Sequence, residues 1–328
     1  MRIGCLGAAR IAPAALVKPA RTNDEIEVTA VAARDAGRAT AFAAKQGIPV
    51  VHDSYEALLA DPDVDAIYNP LPNGLHALWT IRALEAGKHV LCEKPFTANA
   101  EEAEEVAAAA ERAGLVVMEA FHWRYHPLAA RMLEVVNSGE LGPVRHIETW
   151  MCFPLFKRSD IRWQLDLAGG ALMDAGCYAV HMLRTLAGAE PQVVSAEAKL
   201  RSPGVDRMMR AEMQFADRRT GTINTSMWST SVLKMAARVE GDDGSLRVFN
   251  PVAPQYFHRF TVKVGGRTRR ERIRGGSTYS YQLAAFAAAV LRGEPTLTPP
   301  AESIANMRVI DDIYRAAGME PRRGATRL

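Results

Sequence analysis

The stretch Ile3-Gly4-Cys5-Leu6-Gly7-Ala8-Ala9-Arg10-Ile11-Ala12 runs from four residues of buried-strand character into a glycine turn and then into a helix start. That succession matters because the first-turn N–H groups of a helix lack partners and its peptide dipoles point positive there. A pyrophosphate can settle on such an end if no side chain blocks its approach. Gly7 meets the requirement for a tight turn. Ala9 and Ala12 stand where a dinucleotide fingerprint usually has its second and third glycines, a departure that small side chains tolerate. Gly7, Ala9, Arg10 and Ile11 are therefore candidate cofactor contacts, although a tight loop of any α/β protein would read the same way.

Beyond this point the pattern alternates regularly. Strands are expected at Ile26–Ala33, near Val50, and at Asp65–Asn69, His89–Cys92 and Leu115–Glu119. Helices are expected at Gly37–Gln46, Ser54–Ala60, Asn73–Glu85 and Ala100–Arg112. Pro13 suits a first helical turn, and Pro19 should end the opening helix early. Strands alternating with helices imply a parallel sheet covered on both faces, a Rossmann-type doubly wound α/β fold. Ligands of such sheets lie beyond the carboxyl ends of the strands, so chemistry belongs on the loops after Leu6, Ala33, Asn69, Cys92 and Glu119.

The loop after the second strand bears on the cofactor. An NAD enzyme places a carboxylate there to accept from the ribose 2′-hydroxyl, whereas a 2′-phosphate needs a cation. Arg34 follows the strand end and Arg38 lies four residues on, which favours NADP; Asp35 keeps NAD possible. On the next two loops, Pro70, Asn73, His76 and Glu93 are further candidate cofactor contacts. His76, at a helix N-terminus, can instead be a capping or packing residue, and Glu93 can hold the strand tip or meet the nicotinamide ribose.

From Val144 onward strands dominate, with short links at Asp217-Arg218-Arg219 and Gly265-Gly266 that read as hairpins. The expectation is a second α/β domain with a large open, mostly antiparallel sheet, one face covered by a helix over about Gly170–Leu186 and by helices near Tyr279–Leu291 and Glu302–Ala317. The domains are expected at 1–122 and 123–328. Met209, Met213, Met227 and Trp228 suggest a broad apolar outer sheet face, and hence a homodimer or homotetramer. The run Arg267–Arg274 reads as an edge strand.

Length and composition agree with this picture. The 328 residues suffice for two domains, and 48% hydrophobic with 23% charged residues is ordinary for a globular protein. A net charge of +3 gives no reason to expect a nucleic acid partner. Cys5, Cys92, Cys152 and Cys177 form no CxxC pair, so reduced thiols, no metal and a cytoplasmic setting are expected. No basic leader or long apolar stretch suggests export or a membrane span.

Several motifs in order carry a family likeness. They are Gly7–Ala12, Pro70-Leu71-Pro72-Asn73-Gly74-Leu75-His76, Glu93-Lys94-Pro95, Glu119-Ala120-Phe121-His122-Trp123-Arg124-Tyr125-His126-Pro127 and Gly169–Tyr178. Together they resemble the glucose–fructose oxidoreductase, inositol dehydrogenase and rhizopine-catabolism (Gfo/Idh/MocA) family. The resemblance is strongest to its branch with glucose–fructose oxidoreductase, dimeric dihydrodiol dehydrogenase and NADP-dependent xylose dehydrogenase. It implies NADP-linked oxidation of sugar, polyol or related cyclic alcohols, or reduction of ketones, with Lys94 beside the nicotinamide and Asp174 and Tyr178 reaching across from a helix of the second domain. Two alternatives stay open: a sugar oxidoreductase or redox-assisted glycosidase that keeps its cofactor bound, and a non-catalytic NADP-binding sensor.

The residue types suit the chemistry. Taking a proton from a carbinol as its hydride leaves requires a base, and a phenol near pKa 10 needs an adjacent cation to serve at neutrality. Tyr178 is the candidate base, Lys94 the cation, and Asp174 the group that orients the phenol or binds a hydroxyl. The spacing Asp174–Tyr178 puts both on one helical face, shared with His181 and Thr185. A polar stripe of this kind can also be only the wet side of an amphipathic helix, and His181 is read as structural. Trp123 is the foremost candidate for a wall against a sugar ring, with interdomain packing as its alternative. Arg124, Phe153 and Phe156 are further lining candidates, and Arg158 or Arg162 can meet an anionic substituent.

Overall fold

The computed structural model describes residues 1–229 and 233–325. Its first part alternates β1 (Arg2–Leu6), α1 (Lys18–Ala20), β2 (Glu27–Ala32), α2 (Ala36–Gln46), β3 (Val50–His52), α3 (Tyr55–Leu59), β4 (Ala66–Asn69), α4 (His76–Glu85), β5 (His89–Cys92), α5 (Ala100–Ala113) and β6 (Val117–Glu119). The strands are parallel in the order β3-β2-β1-β4-β5-β6. The order reverses between β1 and β4, which opens a crevice at their carboxyl ends.

Local chemistry explains the element ends. Asp35 caps α2 by accepting from Arg38 N at 2.8 Å, and Gly47 closes the helix at φ 71°. Asn99 accepts from Glu102 N at 2.9 Å, while the Glu102 carboxylate accepts from Ala98 N at 3.0 Å, a reciprocal cap on α5. The opening helix is short, as Pro19 requires: a π-turn over Pro13–Val17 precedes α1, and Pro19 has no N–H for the carbonyl one turn back.

The second part contains α6 (Pro127–Asn137), β7 (Val144–Cys152), α7 (Cys177–Ala187), β8 (Gln192–Ser202), β9 (Val205–Gln214), β10 (Thr220–Ser226), β11 (Lys234–Gly241), β12 (Gly244–Phe249), β13 (Arg259–Val264) and β14 (Arg267–Glu271). Helices α8 (Thr278–Arg292) and α9 (Pro300–Ala316) follow. Among the described residues the sheet runs β14-β13-β12-β11-β7-β10-β9-β8, antiparallel except for the parallel pair β7/β10. Gly265 and Gly266, both at positive φ, make the tight β13/β14 turn, and β14 lies at the edge.

The chain divides into two compact units. The first holds Met1–His122, Tyr279–Ile304 and the segment beginning at Gly324; the second holds Trp123–Thr278 and Ala305–Arg323. Nearly all of α8 thus counts with the first unit. The segment after it is tied to the β6 end: Thr298 Oγ1 donates to Glu119 O at 2.7 Å, and Glu119 N donates to Thr298 O at 3.1 Å. The expected second domain also includes residues 326–328, which lie outside the described residues.

The methionine reading needs a correction. Met209, Met213 and Met227 are buried in the unit's own core. The alternate residues of β9, Arg210, Glu212 and Gln214, are exposed instead, because successive side chains of a strand point to opposite faces. Trp228, the fourth residue of that reading, is 47% exposed.

Candidate active site

In the first unit, three loops converge on the β1/β4 crevice. After β1, Gly7 takes φ +87° and its N–H donates to Ala32 O at 2.6 Å. A Cβ there would stand 3.3 Å from Leu71 Cδ2 and 3.8 Å from the Tyr55 hydroxyl, so a side chain would occupy the turn. Ala9 and Ile11 are half-buried, Arg10 is exposed, and Ala12 is buried where a third glycine would pack. After β2, Arg34 and Arg38 are exposed, and both act electrostatically on the Tyr55 phenol beside Gly7. Arg38 also reaches Ala8 O at 3.4 Å. The Asp35 carboxylate caps α2. A small-residue turn next to two guanidinium groups fits a dinucleotide with a 2′-phosphate.

The loop after β4 departs from expectation. Pro70 and Asn73 are half-buried, but His76 is buried, with Nδ1 2.7 Å from Pro95 O and Nε2 2.7 Å from Leu71 O. Burial, reinforced by the Lys94 charge, pulls its pKa down to about 4, while the two carbonyl contacts pull the other way. His76 is a strut between two loops and offers no free ring edge to a cofactor, which corrects its assignment as a cofactor contact.

At the β5 tip, Glu93 accepts from the Tyr68 hydroxyl at 2.7 Å and from Lys94 N at 3.3 Å. It therefore holds the strand tip, one of its two expected roles. Burial raises its pKa, against the pull of Lys94 and Tyr68. The Lys94–Pro95 peptide is cis, and Lys94 is half-buried. His122 is buried as well; burial first and the Lys94 charge second push its pKa down to about 3. The Tyr279 ring packs on it at 4.1 Å between centroids. Nothing in the residues around Tyr279 marks it for this place, because it returns to the first unit from far along the chain.

In the second unit, Asp174 lies in a π-turn, Leu172–Gly176, and Tyr178 in the first turn of α7, so the expected uniform α-helix is replaced at its start by a wider turn. Asp174, Tyr178 and His181 are all buried, so this stripe is not a wet helix face. Side chains of neighbouring elements engage its carbonyls: Thr225 Oγ1 donates to Ala171 O (3.1 Å), Asn306 Nδ2 to Cys177 O (3.4 Å) and Thr149 Oγ1 to Ala179 O (2.9 Å). These bonds tie the Asp174–Tyr178 segment to the second sheet and to α9.

The glycines before it also read differently in three dimensions. A Cβ on Gly169 would lie 2.5 Å from Arg162 O, and one on Gly170 would lie 2.2 Å from Asp206 Oδ1. Their small size serves close approach of this chain to itself.

Trp123 is 1% exposed, and its indole N–H donates to His181 Nδ1 at 3.2 Å. It is a packed core ring and not an open wall, a correction to its first-choice role. His181 accepts because it is neutral: burial, then the Arg184 and Arg124 charges, hold its pKa well below the usual range. Arg124 and Phe153 are half-buried, and the Arg162 guanidinium lies 5.9 Å from the Phe153 ring centre. Arg162 is forked onto Asp160 and feels the Asp174 charge. Phe156 is 72% exposed and meets Trp228, 47% exposed, edge to face at 5.4 Å. Arg158 is exposed.

Residues 1–121 match a family model described as an oxidoreductase family with an NAD-binding Rossmann fold, and residues 129–247 match the GFO/IDH/MocA C-terminal domain. The chain is 41% identical over 321 residues to an NADP(+) D-xylose 1-dehydrogenase of Haloferax volcanii, covering 97% of each chain. Its structure resembles a 3-ketoreductase from Actinomadura kijaniata in complex with NADP and TDP-benzene, with a TM-score of 0.91, 30% identity and coverage of 96% and 97%. It also resembles an aldose–aldose oxidoreductase from Caulobacter crescentus in complex with glycerol, with a TM-score of 0.89, 26% identity and 97% of both chains covered.

Proposed function

Since this chain belongs to the GFO/IDH/MocA oxidoreductase family, we propose that it is an NADP-dependent oxidoreductase acting on a carbinol or carbonyl carbon of a sugar, polyol or related cyclic alcohol. The observation that carries this reading is the pairing of Arg34 and Arg38 with the Gly7 turn in the first unit. NADP, when bound, accepts or supplies the hydride. Gly7 and the Ala9–Ile11 turn would hold its pyrophosphate, with Arg34 and Arg38 on the 2′-phosphate.

The chain's own residues manage the proton. Tyr178 takes it from the substrate hydroxyl in oxidation and returns it in reduction. Lys94 supplies the positive charge that favours a phenolate and donates to the substrate oxygen. Asp174 binds a neighbouring hydroxyl. Arg124, Phe153 and Phe156 line the substrate, with Phe156 and Trp228 offering apolar ring surface to sugar C–H faces.

The reading is tested by following NADPH formation with aldoses, polyols and trans-dihydrodiols, each with NADP and with NAD. Turnover of at least one of these with NADP supports it; no reaction in either direction across all three classes rejects it.

A cytoplasmic enzyme is consistent with this chemistry; no helix among the described residues is long and apolar enough to cross a membrane. We also propose a homodimer or homotetramer formed through the outer face of the second sheet. That face carries Trp150 with Lys234 over its ring at 3.5 Å, and Glu148 opposite Arg238 on the neighbouring strand. Such a surface is self-complementary under two-fold symmetry. Light scattering at micromolar concentration should give at least twice the chain mass, and salt should weaken the association. A monomer would refute it.

A further inference from the structure

One ion pair is withdrawn from water almost completely. Arg322 Nη2 lies 2.7 Å from Asp206 Oδ1, with side-chain exposures of 2% and 0%. Removing two charges from water carries a large desolvation cost, and apolar residues of equal volume often stabilise a fold as well or better. Stability alone therefore does not explain charges here. Direction does, because charged groups point donors and acceptors at chosen atoms.

All of those atoms lie at the start of one segment. Arg322 Nε donates to Gly169 O at 2.9 Å. The second Asp206 oxygen, Oδ2, accepts from Leu172 N at 2.7 Å, the first residue of the π-turn. Tyr314 donates its hydroxyl to Asp206 Oδ1 at 3.1 Å, and its ring underlies the guanidinium at 4.2 Å. Between the two anchored positions sits Gly170 at φ +139°, where a Cβ would also lie 2.8 Å from Arg322 Nη2. Gly170 O in turn accepts from Asp174 N at 3.0 Å. The run of contacts thus leads from Arg322 through Asp206 to the turn, and from the turn to Asp174 and onward to Tyr178.

We propose that Arg322, acting through Asp206, is a positioning residue that fixes the Gly169–Leu172 turn and so aims Asp174 and Tyr178. The inference rests on the functional reading above for what those two side chains do, but its geometric content stands apart. A sequence reader has no access to it: Arg322 lies near the chain end in an unremarkable Pro-Arg-Arg-Gly run, and Asp206 lies on β9.

The test uses the full-length protein with Arg322→Lys, which keeps the charge but loses the planar fork that serves Gly169 and Asp206 together. Backbone amide exchange should accelerate about tenfold or more over 172–178 and stay unchanged over 183–187, because the loss is a local opening. With an accepted substrate, kcat should fall about 10- to 100-fold, as for small misplacement of a reacting group, while NADP affinity is unchanged. Millimolar guanidinium should restore part of the activity of Arg322→Ala but none of that of Tyr178→Phe. Asp206→Asn should repeat the exchange pattern, which protects the test if one variant fails to fold. Unaltered exchange over 172–178, or acceleration spread evenly over the unit, overturns the proposal. Absence of NADP-linked turnover in the parent protein would instead remove the functional reading and leave the exchange result to stand by itself.

Discussion

Tyr178→Phe is expected to lower kcat by about 10²- to 10⁴-fold, the usual worth of a positioned acid–base group. NADP affinity should stay at the parent value, because the proposed cofactor contacts are Gly7, Arg34 and Arg38 and do not include Tyr178. The phenol is buried, so loss of its hydroxyl should cost about 1 kcal/mol of stability, visible in a urea titration but too small to unfold the enzyme. The pH profile separates a base from a packing residue. If Tyr178 accepts the proton, the acid limb of kcat/KM in the oxidative direction disappears in the variant. Combining it with Lys94→Met should cost little more than the worse single change, because groups that act on one proton are not additive. An unchanged rate would eliminate Tyr178 as the base; matched losses of rate and NADP affinity would move it to the cofactor site.

The second large effect concerns the cofactor. Replacing Arg34 by alanine is expected to weaken NADP binding by about 10- to 100-fold, since a charge-assisted bond to phosphate contributes about 1.5–3 kcal/mol. Arg34 is exposed, so solvent screening puts the effect toward the lower end of that range. NAD, which lacks the 2′-phosphate, should bind the variant as it binds the parent. Arg38→Ala should show the same selectivity with a smaller loss, and the double variant should approach equal affinity for both cofactors. Asp35 is not expected to rescue NAD binding, because its carboxylate already accepts from Arg38 N as the α2 cap. Calorimetric titration of both cofactors decides the matter: tighter NAD than NADP binding in the parent protein would end the NADP assignment.

The local features of this chain were legible in its sequence. Strand and helix periods, the Gly7 turn, the proline that shortens α1 and the Gly265-Gly266 turn each depend on residues within a few positions of one another. Motif order added the family, and with it Lys94, Asp174 and Tyr178 as candidates. Tertiary structure alone decided which partner each buried face or polar atom meets. An amphipathic pattern states that a face is buried but not against what, so the β9 methionines were assigned to the wrong surface. His76 could be read as a ligand or a strut until its ring was found between Leu71 O and Pro95 O, and Trp123 read as a wall until its N–H was found on His181. Arg322 and Asp206 are separated by 116 residues and share no motif; a buried charge must find its partner in space, and nothing in local sequence records where that partner is.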